Sequence, residues 1–212
     1  MKYFSLIILC FFFSCGNKED ILLPKANVTI VKNVEDHSPI YIFFRIKGKD
    51  TLAEVNRKNS IISTNWIFNI DKRLPLRLVI PGVMKLQQKK REEKAHKNEL
   101  AQNYYSYADT IGKNLAFVPF TNVYYKLEKP KSGIVVFFTK NNEILVDNVA
   151  VKREELEEYL NKLPSHKPNK YVFCFGKDLN FGNYLQHKIF IQSLKLIKSK
   201  LELVMVNTEF IY

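Results

Sequence analysis

Apolar runs alternate with polar turns most clearly toward the C-terminus. Between Tyr171 and Val206 an apolar run meets a polar turn, an amphipathic segment and a second apolar run over Leu201–Val206. This pattern predicts a strand, a helix that begins near Gly182-Asn183 with Asn183 as its cap, and a strand. One face of the helix is expected to be buried against a sheet, because its apolar positions recur every three or four residues: Leu185, Ile189, Phe190, Leu194, Ile197 and Leu201.

Other apolar runs predict strands upstream. Two hairpins are expected, each from a pair of apolar runs around a short polar turn, and a further strand lies between them: Ile40–Ile46 with Thr51–Val55, Ile134–Thr139 with Ile144–Val146, and Trp66–Ile70. Leu115–Leu127 is also predicted to be extended. Pro119 inside it favours an edge or bulged position, because proline has no N–H to donate to a ladder.

Three stretches carry helical signals. Arg153–Leu163 predicts a helix, because its leucines share one side and carboxylates occupy its first turn. Near Pro81 two alternatives are open: a helix that begins at Leu76 and is kinked at the proline, or one that starts there. Residues 85–103 are strong helix formers with hardly any apolar face, which suits a solvated helix or a mobile connector. In it, Lys89-Lys90-Arg91 is interpreted as a solvated face.

The N-terminus has the layout of a secretory signal: a basic start, the apolar run Tyr3–Phe13, and Ser14 before Cys15. Eleven apolar residues cannot span a bilayer, which needs about twenty. The segment Phe12-Phe13-Ser14-Cys15 resembles a bacterial lipobox, which implies a signal peptide over residues 1–14 and a lipidated Cys15 followed by a tether, residues 15–39. Because Asp does not follow the cysteine, the segment resembles lipoproteins of the outer membrane, facing the periplasm. The alternative is an ordinary cleaved signal.

Composition adds a basic character without a nucleic-acid signature. The chain has 33 Lys+Arg against 21 Asp+Glu, a net charge of +12, which favours anionic partners. Its lysines are scattered, so nucleic acid is not expected as a partner. After the leader only Cys174 remains, and its aromatic neighbours favour a small core residue over a reactive thiol.

No motif in the chain identifies a reaction, a metal site or a cofactor. The four histidines are isolated and no phosphate loop or nucleophile elbow occurs. Asp71 and Asp178 each follow a strand, and they are interpreted as carboxylates that accept from turn amides. Asp109, with His96 in the preceding segment, is the other constellation considered for catalysis.

Two segments of the chain resemble each other. Trp66–Leu76 and Tyr171–Phe181 share three identical residues in eleven positions, and most of the others exchange within aromatic or aliphatic types. The hairpins also correspond, with Ile42 aligned to Val136, an offset of 94. We therefore predict two related modules, residues 40–127 with a charged helical connector and residues 134–212, joined by a linker at 128–133.

The second module resembles the periplasmic domain of the ExbD/TolR biopolymer-transport family. The resemblance rests on the exit of the third strand, where Lys177, Asp178 and Phe181 follow the spacing of the family's Asp-Lys motif. The first module keeps the pair as Asp71-Lys72. Gly176 replaces the motif's Asp, and Leu76 and Phe181 replace its Tyr. The resemblance implies an α+β fold of strand, strand, helix, strand, helix, strand, in which the first module lacks the first helix.

The motor activity of that family does not transfer, because the apolar leader contains no acidic residue. The expected function is that of a non-enzymatic, lipid-anchored envelope protein, held to the membrane through Cys15. It would bind an envelope protein or a cell-wall polymer, as an accessory to an ExbB/ExbD/TonB-type system, and the resemblance also implies a homodimer. Two alternatives stay open: a periplasmic hydrolase with an unrecognised site, and a basic module on anionic polymer or lipid.

Overall fold

The computed structural model describes residues 20–95, 97–163, 171–194 and 208–212. These residues form two six-stranded mixed sheets and three α-helices, which confirms the α+β class. The strands are β1 Lys25–Ala26, β2 His37–Lys47, β3 Asp50–Asn56, β4 Asn65–Ile70, β5 Asn103–Asp109, β6 Asn114–Pro119, β7 Tyr124–Lys126, β8 Ile134–Phe138, β9 Ile144–Val146, β10 Val149–Val151, β11 Tyr171–Phe175 and β12 Thr208–Ile211. The helices are α1 Leu76–Glu92, α2 Leu156–Lys162, preceded by a 3-10 turn at Arg153–Glu155, and α3 Phe181–Ser193.

The first sheet has the order β1-β5-β4-β2-β3, with β6 added to β5. β2 and β3 form the predicted hairpin, closed by a two-residue turn in which Gly48 has φ +64°. A positive φ at the first turn position suits a type II′ turn, where glycine is favoured. β4 runs parallel to β2, and β5 runs parallel to β4 after α1 crosses over between them.

The second sheet, β10-β9-β8-β11-β12-β7, repeats this topology. Its order β9-β8-β11-β12 matches β3-β2-β4-β5: a hairpin, a strand parallel to the first, a helix, and a parallel strand. The ladders align Ile42 with Phe138, because Ile42 pairs with Ile70 and Phe138 with Phe175. The offset is therefore 96 (138 − 42), not 94. A shift by two keeps the same face buried, which is why the hydrophobic pattern could not detect the error.

The N-termini of the two long helices decide two of the sequence expectations. The first alternative for Pro81 is correct in that α1 begins at Leu76 and contains the proline. The cap of α3 is Asn180, not Asn183, and its side chain accepts from the Asn183 N–H. The predicted strand Leu201–Val206 lies outside the described residues, and β12 follows it.

Three expectations are wrong about which segments pack. Lys90 is buried, although the cluster around it was expected to be solvated, and Gln87 is buried one turn earlier. The predicted tether includes β1, which pairs with β5. Tyr124–Lys126, predicted to belong to the first module, pairs with β12 of the second sheet. The hydrophobic pattern did not reveal these contacts, because each is made with a segment that is distant in sequence.

The two sheets share one continuous apolar core. At its centre the Tyr105 ring stacks on Phe120 with 3.7 Å between ring centroids. The Tyr105 hydroxyl lies 2.7 Å from that of Tyr125, which lies 3.2 Å from that of Tyr184, and Tyr184 donates to Glu209 at 2.5 Å. Burial raises the pKa of all three tyrosines well above the usual value, so these hydroxyls stay protonated.

Two helical glycines predict opposite effects of the same substitution. A Cβ at Gly82 would meet only Val55, with Cγ2 at 3.5 Å, so Gly82→Ala should raise the free energy of unfolding by about 0.5–1 kcal/mol through helix propensity. A Cβ at Gly182 would lie 3.1 Å from Lys72 Cβ and 3.2 Å from Asn180 Oδ1. Gly182→Ala should therefore lower that free energy by about 1 kcal/mol.

Denaturant unfolding of the full chain, followed by the fluorescence of the single tryptophan, Trp66, measures both variants. Trp66 is buried in the first sheet. Equal stabilisation by the two substitutions would contradict the close contact at Gly182.

Candidate functional site

The two turns that carry the family-like motif meet each other. The Leu76 N–H donates to Leu179 O at 2.9 Å, and its counterpart Phe181 N–H donates to Leu74 O at 2.8 Å. A second reciprocal pair joins Arg77 N–H to Lys177 O at 2.8 Å and Gly182 N–H to Lys72 O at 3.0 Å. Equivalent residues thus exchange equivalent bonds, with Pro75 opposite Asn180 in an antiparallel bridge. The two turns are therefore related by a local two-fold axis.

Asp71 is the buried carboxylate of this region, with a fully buried side chain. Arg73 donates to it through Nε at 2.9 Å, through Nη2 at 2.7 Å and through its backbone N–H at 3.0 Å. The Leu22 N–H adds a fourth bond at 3.2 Å. Burial alone would raise the pKa of Asp71, but these bonds and the guanidinium charge outweigh it and lower the pKa. The four donors fill the four acceptor positions of the carboxylate.

The other motif residues are placed by the same junction. Asp178 pairs with Arg77 at 2.8 Å across the two-fold axis, and both side chains are about half exposed. The backbone carbonyls of Lys72 and Lys177 accept hydrogen bonds from the first turn of the opposite helix. Phe181 is fully buried and meets the Tyr105 ring edge-on at 5.2 Å. Cys15 lies outside the described residues.

The carboxylates considered for catalysis hold the N-terminal segment instead. Asp109 accepts from Thr29 Oγ1 at 2.5 Å and from the backbone N–H groups of Ile111 and Gly112. Asp71 holds Leu22, whose carbonyl accepts from Lys72 N–H at 2.8 Å. The bond from Thr29 and those from the turn amides lower the pKa of Asp109. His96, its predicted companion, lies outside the described residues. Asp71 and Asp109 therefore bind the N-terminal segment to the rest of the fold, at Leu22 and at Thr29.

Two further titratable groups, one on β11 and one on α3, are buried in apolar surroundings. Burial raises the pKa of the Cys174 thiol to about 12, which agrees with a core residue. Burial and the charge of Arg153 lower the pKa of His187 to about 4, and its ring packs on Phe138 with centroids 4.3 Å apart. In the part of the chain that the structure describes, no three His, Cys, Asp or Glu side chains form a metal-binding group. No described helix has the length and apolar character needed to cross a bilayer.

Lys90 is an unusual group that the sequence did not single out. Its ammonium donates to Thr64 O at 2.8 Å, to Asn103 Oδ1 at 3.2 Å and to Gln102 O at 3.3 Å, all neutral acceptors. It also lies 4.8 Å from the centre of the Trp66 ring. Burial lowers the pKa of Lys90 to about 8. A lysine within a charged run looks solvated, and only the α1 spacing from Val83 and Leu86 places it on the buried side.

The first sheet ends in an open edge. β3 pairs only with β2, and its seven residues make it the longest edge strand of the described sheets. The Asp71 N–H donates to Ile42 O, so the backbone of Ile42 faces β4. Its β3 partner Val55 therefore directs its N–H and C=O away from β2, and so does Ala53 two residues earlier. The equivalent edge in the second sheet, β9, is covered by β10.

A groove of about 660 Å³ runs beside this edge, between β3 and α1. Its floor contains Val55, Gly82 and Leu86, and its rim carries Arg57, Lys85, Lys89, Gln88, Glu92 and Glu93. The open edge and the groove together are the surface best arranged to hold an extended ligand, because unpaired strand groups lie beside an apolar channel.

The contrast between the two motif acids predicts unequal effects of substitution. Asp71→Asn should lower the free energy of unfolding by about 2 kcal/mol, because the buried side chain at this position would lose its charge and part of its bonding to Arg73 and Leu22. Asp178→Asn should change it by about 0.5 kcal/mol or less, because its pair with Arg77 is exposed. Chemical unfolding of both variants at neutral pH tests this difference. Equal losses would contradict the assigned role of Asp71.

The pH dependence of the same protein gives a second readout. The pKa of Asp71 is lower in the folded chain than its ordinary 3.8, so the stability that it contributes is complete above that value and is lost as the pH falls through the folded pKa. In Asp71→Asn this acid loss should be smaller than in the parent chain.

The fluorescence of Trp66 should titrate with Lys90. Deprotonation removes the charge above the indole ring, so the emission of the folded chain should change with a midpoint near pH 8. Lys90→Met should abolish this transition, and Lys89→Met, which changes the exposed neighbour, should keep it. A transition that survives in Lys90→Met would assign it to another group.

Comparison of this chain with protein-family models, curated proteins and solved structures finds no match. The resemblance to the ExbD/TolR family therefore stays a prediction from the motif residues Asp71, Lys72, Lys177, Asp178 and Phe181.

Proposed function

We propose that this chain is a non-enzymatic, lipid-anchored protein of the bacterial cell envelope that binds an extended segment of another envelope protein along the free edge of β3. The observation that carries the proposal is the outward backbone of Ala53 and Val55, beside the groove. A strand that adds to such an edge gains main-chain hydrogen bonds without any signature residue. This explains how a binding protein can lack recognisable motifs.

The engagement of the acids supports a binding role over a hydrolytic one. A general acid or base needs a lone pair or proton that faces a substrate. Asp71 has its four acceptor positions filled and its side chain fully buried, and Asp109 accepts three bonds from Thr29 and its own turn. Both carboxylates are therefore occupied by hydrogen bonds within the fold, which does not suit proton transfer to a substrate.

The attachment of the N-terminal segment supports an anchored protein. The chain after the leader is fixed at Leu22 by Asp71, at Lys25–Ala26 by β5, and at Thr29 by Asp109. A lipid on Cys15 would thus be joined to the folded part by a short stretch of chain, which would keep the folded part close to the membrane surface. An accessory role beside an ExbB/ExbD/TonB-type system is the proposed setting.

In-cell crosslinking of the tagged full chain, followed by mass spectrometry, tests the proposal. If the lipid on Cys15 holds the protein at the membrane beside its partner, Cys15→Ala should no longer recover that partner. Ala53→Pro removes an outward N–H that is not bonded to β2, and proline is tolerated at such a position of an edge strand, so the fold should persist. Recovery of the partner should fall about tenfold or more. Ala53→Val, which keeps that N–H, is the matched control and should retain the partner.

Recovery of proton-channel or TonB-type subunits would place the chain beside an envelope motor. Equal recovery of one partner by Ala53→Pro and by the parent chain would reject edge binding. Full recovery by Cys15→Ala would reject the need for the anchor.

A further inference from the structure

We infer that the groove beside β3 selects an acidic extended polypeptide whose alternate side chains are apolar, one segment for each copy of the chain. This inference rests on the proposed binding at β3 and adds the chemistry of the partner. It follows from the floor, the rim and the asymmetry of the two sheets.

The floor of the groove sets the apolar requirement. Val55 is on the same face of the sheet as its ladder partner Ile42, which is fully buried in the core. A strand added beside β3 would turn every second side chain toward this face, over Val55, Gly82 and Leu86. Gly82 leaves open space there, since Val55 Cγ2 is its nearest neighbour at 3.5 Å. Apolar side chains of the added strand would bury against this floor.

The rim sets the charge requirement. Arg57, Lys85 and Lys89 are exposed, and none of them has a carboxylate partner within the described part of the chain. The rim also carries two carboxylates, which keep their charge and accept from neutral donors: Glu92 accepts from Gln88 Nε2 at 2.7 Å, and Glu93 accepts from Ala95 N–H at 3.2 Å. The rim therefore carries three cations without a carboxylate partner against two carboxylates, a net positive charge. Carboxylates on a partner strand would complement the three cations, and a basic strand would be disfavoured.

The second sheet does not offer an equivalent site. β10, which follows the Asp147-Asn148 turn with φ +46° and +70°, folds back on β9 and occupies the edge that corresponds to β3. Each copy of the chain is thus expected to bind one partner segment, although it contains the same strand order twice.

Fluorescence anisotropy with the detergent-solubilised full chain tests the inference. The probes are two labelled peptides long enough to pair with the seven residues of β3, one alternating valine with glutamate and the other alternating valine with lysine. The acidic peptide should bind in a one-to-one ratio and weaken with added salt, and the basic peptide should bind at least about tenfold more weakly.

Charge reversal identifies the groups responsible. The double variant Lys85→Glu, Lys89→Glu should weaken the acidic peptide about tenfold and strengthen the basic one. Lys131→Glu with Lys140→Glu makes the same change in net charge on exposed residues far along the chain and should leave the preference unchanged. Gly82→Leu, which fills the floor, should weaken both peptides.

The outcomes separate this inference from the proposed function. If Ala53→Pro abolishes the binding of both peptides and the parent chain binds the two equally, edge binding stands and the acidic selectivity is wrong. If the Lys85, Lys89 reversal changes neither affinity, the assignment of that selectivity to the rim is wrong. If Ala53→Pro leaves peptide binding intact, the edge itself is rejected. Self-association of the chain through β3 that excludes both peptides, seen as a dimer lost in Ala53→Pro, would assign the edge to a second copy and overturn the inference.

Discussion

The structure depends on a reciprocal capping of two helices. The first N–H groups of an α-helix have no partner inside the helix. In this chain those of α1, at Leu76 and Arg77, donate to carbonyls of the turn before α3, and those of α3, at Phe181 and Gly182, donate to carbonyls of the turn before α1. Each backbone bond contributes about 1 kcal/mol, and loss of one turn would leave the first two N–H groups of the opposite helix without acceptors. The two sheets are thus coupled through their helix ends as well as through their core.

This junction explains the residues that surround it. Pro75 precedes α1 without a side-chain cap, which is tolerable because the opposite turn supplies the acceptors. Gly182 is small where Lys72 approaches, and Gly176 has Lys140 N at 3.3 Å from a would-be Cβ. Asp71 has no counterpart carboxylate at Gly176, because that turn has no N-terminal segment to hold. The motif residues are therefore explained by packing and hydrogen bonding between the turns, without an appeal to catalysis.

Sequence patterns predicted the elements whose partners are local. The hairpin of Ile40–Ile46 and the strand at Trp66–Ile70 follow from dense β-branched and aromatic residues, and α2 from its leucines. Features set by distant contacts were not predictable. Lys90 is buried because Thr64 and Asn103 supply acceptors, and β7 joins the second sheet because β12 has a free side. The open edge of β3 is likewise a property of the assembled sheet, since the same hairpin pattern in the second module acquires a covering strand.

The contrast between β3 and β9 bears on why an exposed edge would persist. A long free strand edge invites unwanted pairing, and proteins usually cover, shorten or charge such edges. The second sheet covers its edge with β10. The first sheet leaves the seven residues of β3 without a neighbouring strand on one side, and Leu52 and Val55 are partly exposed. The rim cations Arg57, Lys85 and Lys89 lie beside this edge. Like charges would repel a second copy of this basic chain while attracting an acidic strand. The same side chains that limit self-pairing thereby define the partner that the edge can accept.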